Sequence, residues 1–390
     1  MQTAAVAADL ATTQTVSLLD ELMTSGLVDR ADDDRHQMHD LVRLHAWERA
    51  VEEEAESEEA ALTERVVTHY LSLTALADQA LHPGRMRVAD SSALMQYWRN
   101  PFADGVAALE WMDTERANIL AVLEAALRFE LHSPAWQLAE ACMSLFWHRA
   151  YPQDWRKAAA LGAEAASAAG APAAEARLRS LLAYPLLDLG EHEQAREELH
   201  KAAACAEAAG HPVLKAGVQE VVGRYAERTA PQTAAAAYER CVSLYEDAGH
   251  ARGAALARYH LGRCQSTLGA HAQALSTLRM AHAELTALDD ERAAARTLTA
   301  IGVVHDHLGD PVLALHALRD AACALREQGA SYHEAQTLEL LADIAERTGG
   351  PERDRVRDWL IRAAEIHQAA HSPAEVRLRE RIQQLEQSAR

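Results

Sequence analysis

Apolar residues recur at helical spacing along most of the chain, and the spacing itself repeats. In residues 254–268, Leu256, Tyr259, Leu261 and Leu268 mark one amphipathic helix. In residues 272–288, Ala274, Leu275, Leu278, Ala281 and Leu285 mark a second, at steps mainly of three and four. That period belongs to a helix with one buried stripe. The turn Gly269-Ala270-His271 joins them, so the pair reads as a helical hairpin. Gly262 lies where two helices must approach closely. Gly269 lies where a helix ends in the left-handed region, and Ala274 and Ala281 suit the same close packing.

The hairpin is one of a series. Gly170, Gly210, Gly249 and Gly329 share one register with a nearly constant step, and Asp289 stands in its remaining place. Gly223, Gly262, Gly302 and Ala342 form a second register, and Gly190, Ala230, Gly269, Gly309 and Gly349 a third. Three registers with one period describe stacked repeats. Leu-Gly, a turn Gly, then two Ala is a pattern that resembles the tetratricopeptide repeat. It recurs as Ile301-Gly302, Leu308-Gly309, Ala314 and Ala321, and around Leu181, Gly190, Ala195 and Ala202. The second unit is degenerate at Val222-Gly223, Ala230-Pro231, Ala236 and Tyr238, and the fifth carries Leu341-Ala342, Gly349 and Ala363. Units of about 40 residues exceed the usual ~34 and imply longer helices. Ser372-Pro373-Ala374-Glu375 opens a final charged helix, with Ser as N-cap and Pro at the first position.

Composition agrees with this picture. Of the 390 residues 49% are hydrophobic, mostly Ala and Leu, and only 5% are aromatic. Ala and Leu favour helix, and a large β-sandwich or doubly wound sheet is unlike this composition. The expected fold class is all-α: a right-handed superhelical tetratricopeptide-repeat solenoid of about five hairpins, preceded by a helical bundle arm and a partial winged helix.

The front of the chain differs. Val16, Leu18, Leu19, Leu22 and Met23 predict an amphipathic helix that Gly26 ends. Residues 27–30 and 35–38, around the turn 31–34, suggest a short hairpin, and a helix follows from His39. Helix, hairpin, helix is the back half of a winged-helix domain. Farther on, a helix is expected from near Asp113 to Leu127, another at Ser133-Pro134, and a loop from His82-Pro83-Gly84 to Ser92. Trp98, Trp111, Trp136, Trp147 and Trp155 read as bundle core rather than a ligand cage. Glu52 to Glu59 reads as the solvated face of a helix.

Several chemistries lack their residues. No apolar run reaches the ~20 residues of a membrane helix, and Met1 to Leu10 lacks the basic start of a signal peptide. Cys142, Cys205, Cys241, Cys264 and Cys323 are scattered without a CxxC pair, and read as small buried thiols of a cytoplasmic protein. Only three Lys occur against 35 Arg, none after Gly, so the chain carries no P-loop. The net charge of −20 argues against a non-specific nucleic-acid coat or an anionic membrane surface. Residues 1–65 hold five Arg and sixteen Asp or Glu, a local charge of −11. The acidity therefore belongs mostly to the front, and an anionic ligand remains open for the repeats.

Met38-His39-Asp40, followed by Leu41-Val42-Arg43-Leu44-His45-Ala46, resembles the MHD motif of the NB-ARC family of signalling ATPases. The segment 108–120, Ala-Leu-Glu-Trp-Met-Asp-Thr-Glu-Arg-Ala-Asn-Ile-Leu, resembles one bacterial branch, the actinobacterial antibiotic-regulatory (SARP-like) proteins of STAND type. Ala135-Trp136-Gln137-Leu138-Ala139 and Trp155 match the same helical arm. The resemblance implies an ATPase, a winged helix, a helical arm and a tetratricopeptide array, with this chain as the C-terminal part. It implies domains at 1–47 (winged-helix remnant), 48–168 (arm), 169–371 (repeats) and 372–390 (capping helix). It also implies that His39 approaches ADP or ATP, and only if a nucleotide-binding domain is supplied. No other cofactor is expected.

The function expected is non-enzymatic: a binding and regulatory module, the sensor half of such a regulator. The alternative is a free-standing scaffold for a partner protein. A remote one is a hydrolase of HD type built on His39-Asp40, with His36 and His45 nearby. Such a metal site needs further ligands from other helices, and no metal site is expected. His305-Asp306-His307 reads as helix-end polarity. Repeat arrays bind peptides, helices or small effectors on the face of their first helices. That places Arg177, Arg224, Arg258 and Arg296 in a groove for a protein, peptide or small effector. Half a winged helix cannot place a recognition helix, so no direct nucleic-acid binding is expected. An exposed repeat edge is compatible with self-association.

Overall fold

The computed structural model describes residues 2–30, 35–53, 56–90, 92, 100–149, 151–227, 229–349, 355–369 and 372–388. Among these residues the protein is 19 helices and one two-stranded hairpin. It divides into two compact units, Met1–Gly210 and His211–Arg390.

The first unit opens with α1 (Gln2–Ala8) and α2 (Thr12–Thr24), the short strands β1 (Asp29–Arg30) and β2 (His36–Gln37), and α3 (Asp40–Glu53). The strands are antiparallel, with Asp29 opposite Gln37 and Arg30 opposite His36. Helix, hairpin, helix is thus present, while the expected turn 31–34 lies outside the described residues. Helix α2 begins at Thr12, a turn before Val16, and Gly26 follows it at φ +69°.

The arm is built on α4 (Glu56–Leu81), α5 (Gly105–Thr114), α6 (Arg116–Arg128), α7 (His132–His148) and α8 (Pro152–Ala168). Arg65 of α4 donates to the carbonyls of Val6 (3.2 Å) and Ala7 (2.8 Å), closing the C-terminal end of α1. The expected helix from Asp113 is two helices that break at Glu115. That carboxylate accepts from the Tyr70 hydroxyl and Asn118, both at 2.7 Å, so its side chain is committed to side-chain partners at the junction. The expected start at Ser133-Pro134 also shifts: α7 begins at His132, and Pro134 falls in its first turn, where a missing N–H costs nothing. The loop after His82 is tied down by buried charge. Asp78, 1% exposed, takes Arg85 at 3.0 Å and Arg87 at 2.5 Å, and Glu140 accepts from Val88 N and Ala89 N. Trp136 and Trp155 are core as expected, but Trp147 is 41% exposed; Trp98 lies outside the described residues.

The repeats follow as α9 (Pro172–Asp188) and α10 (His192–Ala209) in the first unit. The second unit holds α11 (Pro212–Ala226), α12 (Pro231–Asp247), α13 (Ala251–Thr267), α14 (His271–Ala287), α15 (Glu291–His307), α16 (Pro311–Glu327), α17 (Ser331–Thr348), α18 (Val356–Ala369) and α19 (Ala374–Ser388). Within each unit, successive repeat helices pack against one another. The three sequence registers have distinct physical causes. A Cβ on Gly262 would sit 2.6 Å from Leu278 Cγ, and one on Gly302 2.7 Å from Leu318 Cγ, so glycine sets the contact distance. Gly269 and Gly309 adopt φ of +79° and +80°, and their N–H groups cap the carbonyls of Ser266 and Asp306. Between hairpins, Gly170, Gly249 and Gly329 do the same, and Asp289 adopts φ +54° in the place that lacks glycine. Ala230 departs: it precedes α12 at φ −147°, with Pro231 opening the helix. Ala274, Ala281, Ala314 and Ala321 are fully buried.

The positive-φ register reaches one step earlier than the repeats read from sequence. Glu130, one repeat length before Gly170, has φ +56°. The same 5→2 and 6→1 bonds link Glu130 N to Leu127 O and Leu131 N to Ala126 O. Helices α7 and α8 therefore form a hairpin of repeat geometry inside the expected arm. Glu130 stands where the register has glycine, and Gly162, which packs against Ala139, falls outside the three registers, so the hairpin is silent in the pattern.

A candidate binding cavity on the first helices of the repeats

The first helix of each repeat in the second unit carries a stripe opposite to the one that meets its hairpin partner. On α13 the stripe holds Tyr259, Arg263 and Ser266; on α15 it holds Arg296, Thr299, Ala300, Val303 and His307; on α17 it holds His333, Gln336, Thr337, Leu340 and Asp343. Steps of three and four keep each set on one face. Together they line a cavity of about 650 Å³, with Leu278 from α14 at its floor and Arg377 from α19 at its rim.

Its polar groups differ in how far they are satisfied. Glu339 is held by His367 (3.1 Å) and Arg377, and Asp343 by Arg381 (2.7 Å), so both carboxylates of the wall are neutralised. Ser266 Oγ meets His307 Nδ1 at 3.1 Å, and the Thr299 and Thr337 hydroxyls meet at 3.0 Å. Burial, then the charges of Arg296 and Arg292, lower the pKa of His333. The Arg263 and Arg296 guanidiniums lie 5.6 and 5.2 Å from the centre of the Tyr259 ring, within cation–π reach.

A buried network stands behind Arg263. Glu227, just past the end of α11, accepts from the Tyr238 hydroxyl at 2.7 Å, with His260 at 3.6 Å and Arg263 at 3.8 Å. Burial alone would raise the Glu227 carboxyl, but His260, Tyr238 and the Arg263 charge bring it down to about 2. Burial and the bond to Glu227 push the Tyr238 phenol well up. Tyr238 lies flat against Gly223, whose Cβ would come 2.7 Å from its ring. This is why the degenerate repeat has Tyr where its neighbours have Leu278 and Leu318.

The structure separates the arginines expected in a groove. Arg296 lines the cavity. Arg224, exposed on α11, stands one repeat before Arg263, at the equivalent position. Arg177 is half-buried on α9 of the first unit, at the repeat position of Arg296. Arg258 does not line the cavity: it pairs with Glu246 of α12 and Glu284 of α14 (2.8 Å), on the side of the second helices. One residue along a helix turns the side chain by about 100°, enough to move from one face to another. Tyr259, Arg263 and His333 were missed, although the three-four stripe on each first helix carries them.

His39 sits just before α3, exposed, with Nδ1 accepting from Leu41 N at 3.4 Å. Asp40 pairs with Arg43 at 3.0 Å. Among the described residues no three His, Cys, Asp or Glu converge on a point that could hold a metal. The cysteines are free; Cys142, Cys241 and Cys264 are buried, but Cys323 is exposed, against the expectation of uniformly buried thiols. No helix among the described residues is long and apolar enough to cross a membrane.

The fold is that of a helical-repeat protein of tetratricopeptide type. No family model matches the chain. It is 29% identical over 313 residues to the regulatory protein AfsR of Streptomyces coelicolor, covering 77% of this chain and 31% of that one. It is 29% identical over 334 residues to the regulatory protein AfsR of Streptomyces griseus, covering 84% and 32%. The chain thus spans about a third of the length of these curated relatives. The likeness to a regulator drawn from Met38-His39-Asp40 and residues 108–120 is borne out. Among solved structures it is similar to aspartyl phosphate phosphatase F from Bacillus subtilis, with TM-score 0.51, 12% identity, and coverage of 91% of this chain and 81% of that one. At that identity the likeness is one of fold.

Proposed function

We propose that this chain is a non-enzymatic sensor module of a STAND-type transcriptional regulator, and that the cavity on α13, α15 and α17 takes the effector or partner peptide. The observation that carries the reading is the cavity itself: a wall of first helices on which Arg263 and Arg296 lack a full counter-charge, on a chain whose relatives are regulatory proteins. The front of the chain supports the second half of the reading. Seven of the seventeen large apolar residues exposed among the described residues are Leu10, Val16, Leu18, Leu27, Met38, Leu41 and Leu44. Exposed apolar side chains on the segment that carries His39 suit a nucleotide-binding domain packed over it. His39 would contact ADP or ATP only there.

The test is made in the organism that encodes the chain. Ala300→Trp fills the cavity from a helix surface. It is expected to leave protein abundance unchanged and to shift the transcript profile to that of the deletion strain, or to a constantly induced one. A profile equal to wild type overturns the sensor reading.

A further inference from the structure

We propose that Arg263, Tyr259 and Arg296 form an oxyanion subsite, which takes the phosphate or carboxylate group of a small organic ligand seated in the cavity. The inference rests on the reading of the cavity as the effector site and names the chemistry that it selects.

The two guanidiniums come from neighbouring repeats and lie 5.6 and 5.2 Å from the centre of the same ring. Arg296 has no carboxylate within ion-pair distance and no hydrogen bond among the described residues, and its Nε is buried without a partner. Arg263 has one carboxylate, Glu227, at 3.8 Å, and that group is already occupied by Tyr238 and His260. The other carboxylates of the wall are taken up by Arg377, His367 and Arg381. Two cations within reach of one aromatic ring lack a full counter-charge. Such groups gain from an incoming oxyanion, because a guanidinium fork matches the oxygens of carboxylate and phosphate. Tyr259 restrains both forks before the ligand arrives, so less side-chain freedom is lost on binding. Beside the polar groups, Ala300, Val303, Val304 and Leu340 add apolar lining, which would take an organic body rather than a bare ion.

The net charge of −20 does not describe the repeats that form the cavity, because −11 of it lies in residues 1–65.

Calorimetry on the full chain decides it, with pyrophosphate and citrate as probes at matched ionic strength. One or both are expected to bind, and the tighter one names the preferred group. Arg263→Gln and Arg296→Gln are each expected to weaken binding about tenfold or more, the loss of a charge-assisted contact. Arg258→Gln, outside the cavity, is expected to bind as wild type, and circular dichroism checks that each variant is folded. No binding of either probe overturns the proposal. Binding retained in Arg263→Gln and Arg296→Gln but lost in Ala300→Trp overturns the anion subsite and leaves the cavity as the binding site. Binding retained in all three overturns both.

Discussion

The stacked hairpins and the helix that follows β2 use the same apolar residues to opposite ends. In the hairpins, Leu278, Leu285, Leu318 and Leu325 are fully buried, each seated against a small residue of the facing helix or the next turn. In α3, no described side chain is buried, and Leu41 and Leu44 are 72% and 53% exposed. Helix-forming sequence is present in both. What differs is whether a neighbouring element carries glycine or alanine at the depth where a leucine must enter. The repeat supplies that partner once in every hairpin, while the front of the chain presents its apolar face outward.

The largest effect is expected where the hairpin is tightest. Leu278→Ala removes a fully buried side chain and should cost roughly 3 kcal/mol in chemical denaturation. Gly262→Ala would gain about 0.5–1 kcal/mol of helix propensity in isolation. Here its Cβ meets Leu278 Cγ at 2.6 Å, and overpacking of about 1–3 kcal/mol wins. The two changes should couple: in the Leu278→Ala background the clash is gone, and Gly262→Ala should become neutral or stabilising. Additive costs would break the account of glycine as the residue that sets the hairpin distance.

The repeat was legible because its constraints are backbone constraints. A positive φ or a missing Cβ can be met by few residues, so Gly249, Gly262, Gly269 and Gly302 print the period openly. Where another residue meets the same need, the print fades. Asp289 was found only by counting, and Glu130 was not found, so the α7–α8 hairpin stayed hidden in the arm. The cavity was harder for a different reason. A lining residue needs only to face inward, and arginine is common on every face of these helices. Arg296 and Arg258 look alike in sequence, yet Arg258 is bound to Glu246 and Glu284. The periodic stripe of Tyr259 and Arg263 was the better signal, since it fixes the face before the residue type. The break at Glu115 was unreadable because helical residues continue straight through it.

A smaller effect separates the cavity's support from its core. Glu227→Gln keeps the shape but removes the charge that faces Tyr238, His260 and Arg263. Loss of hydrogen bonds to a charged group should cost about 1–2 kcal/mol at pH 7. The folded carboxyl is depressed to about 2, so its stabilisation is full above the ordinary carboxylate pKa and fades as pH falls through that range toward 2. The gap between wild type and variant should therefore shrink progressively as pH falls from about 5 toward about 2. A gap independent of pH would show that the network acts through packing alone.

The smallest effect is expected at the front. Leu41→Ser and Leu44→Ser alter side chains that water already reaches, so stability should stay within about 0.5 kcal/mol of wild type. Set against the roughly 3 kcal/mol at Leu278, that is the contrast between an apolar residue with a partner and one without. The same changes become informative in a longer chain that carries the proposed nucleotide-binding domain. If a second domain covers Leu41 and Leu44, each Ser should cost well over about 1 kcal/mol there, because it removes buried area from an interface. A loss of that size in this chain alone would mean that the face is already covered in solution. Sedimentation would then have to show a dimer that the Ser variants dissociate.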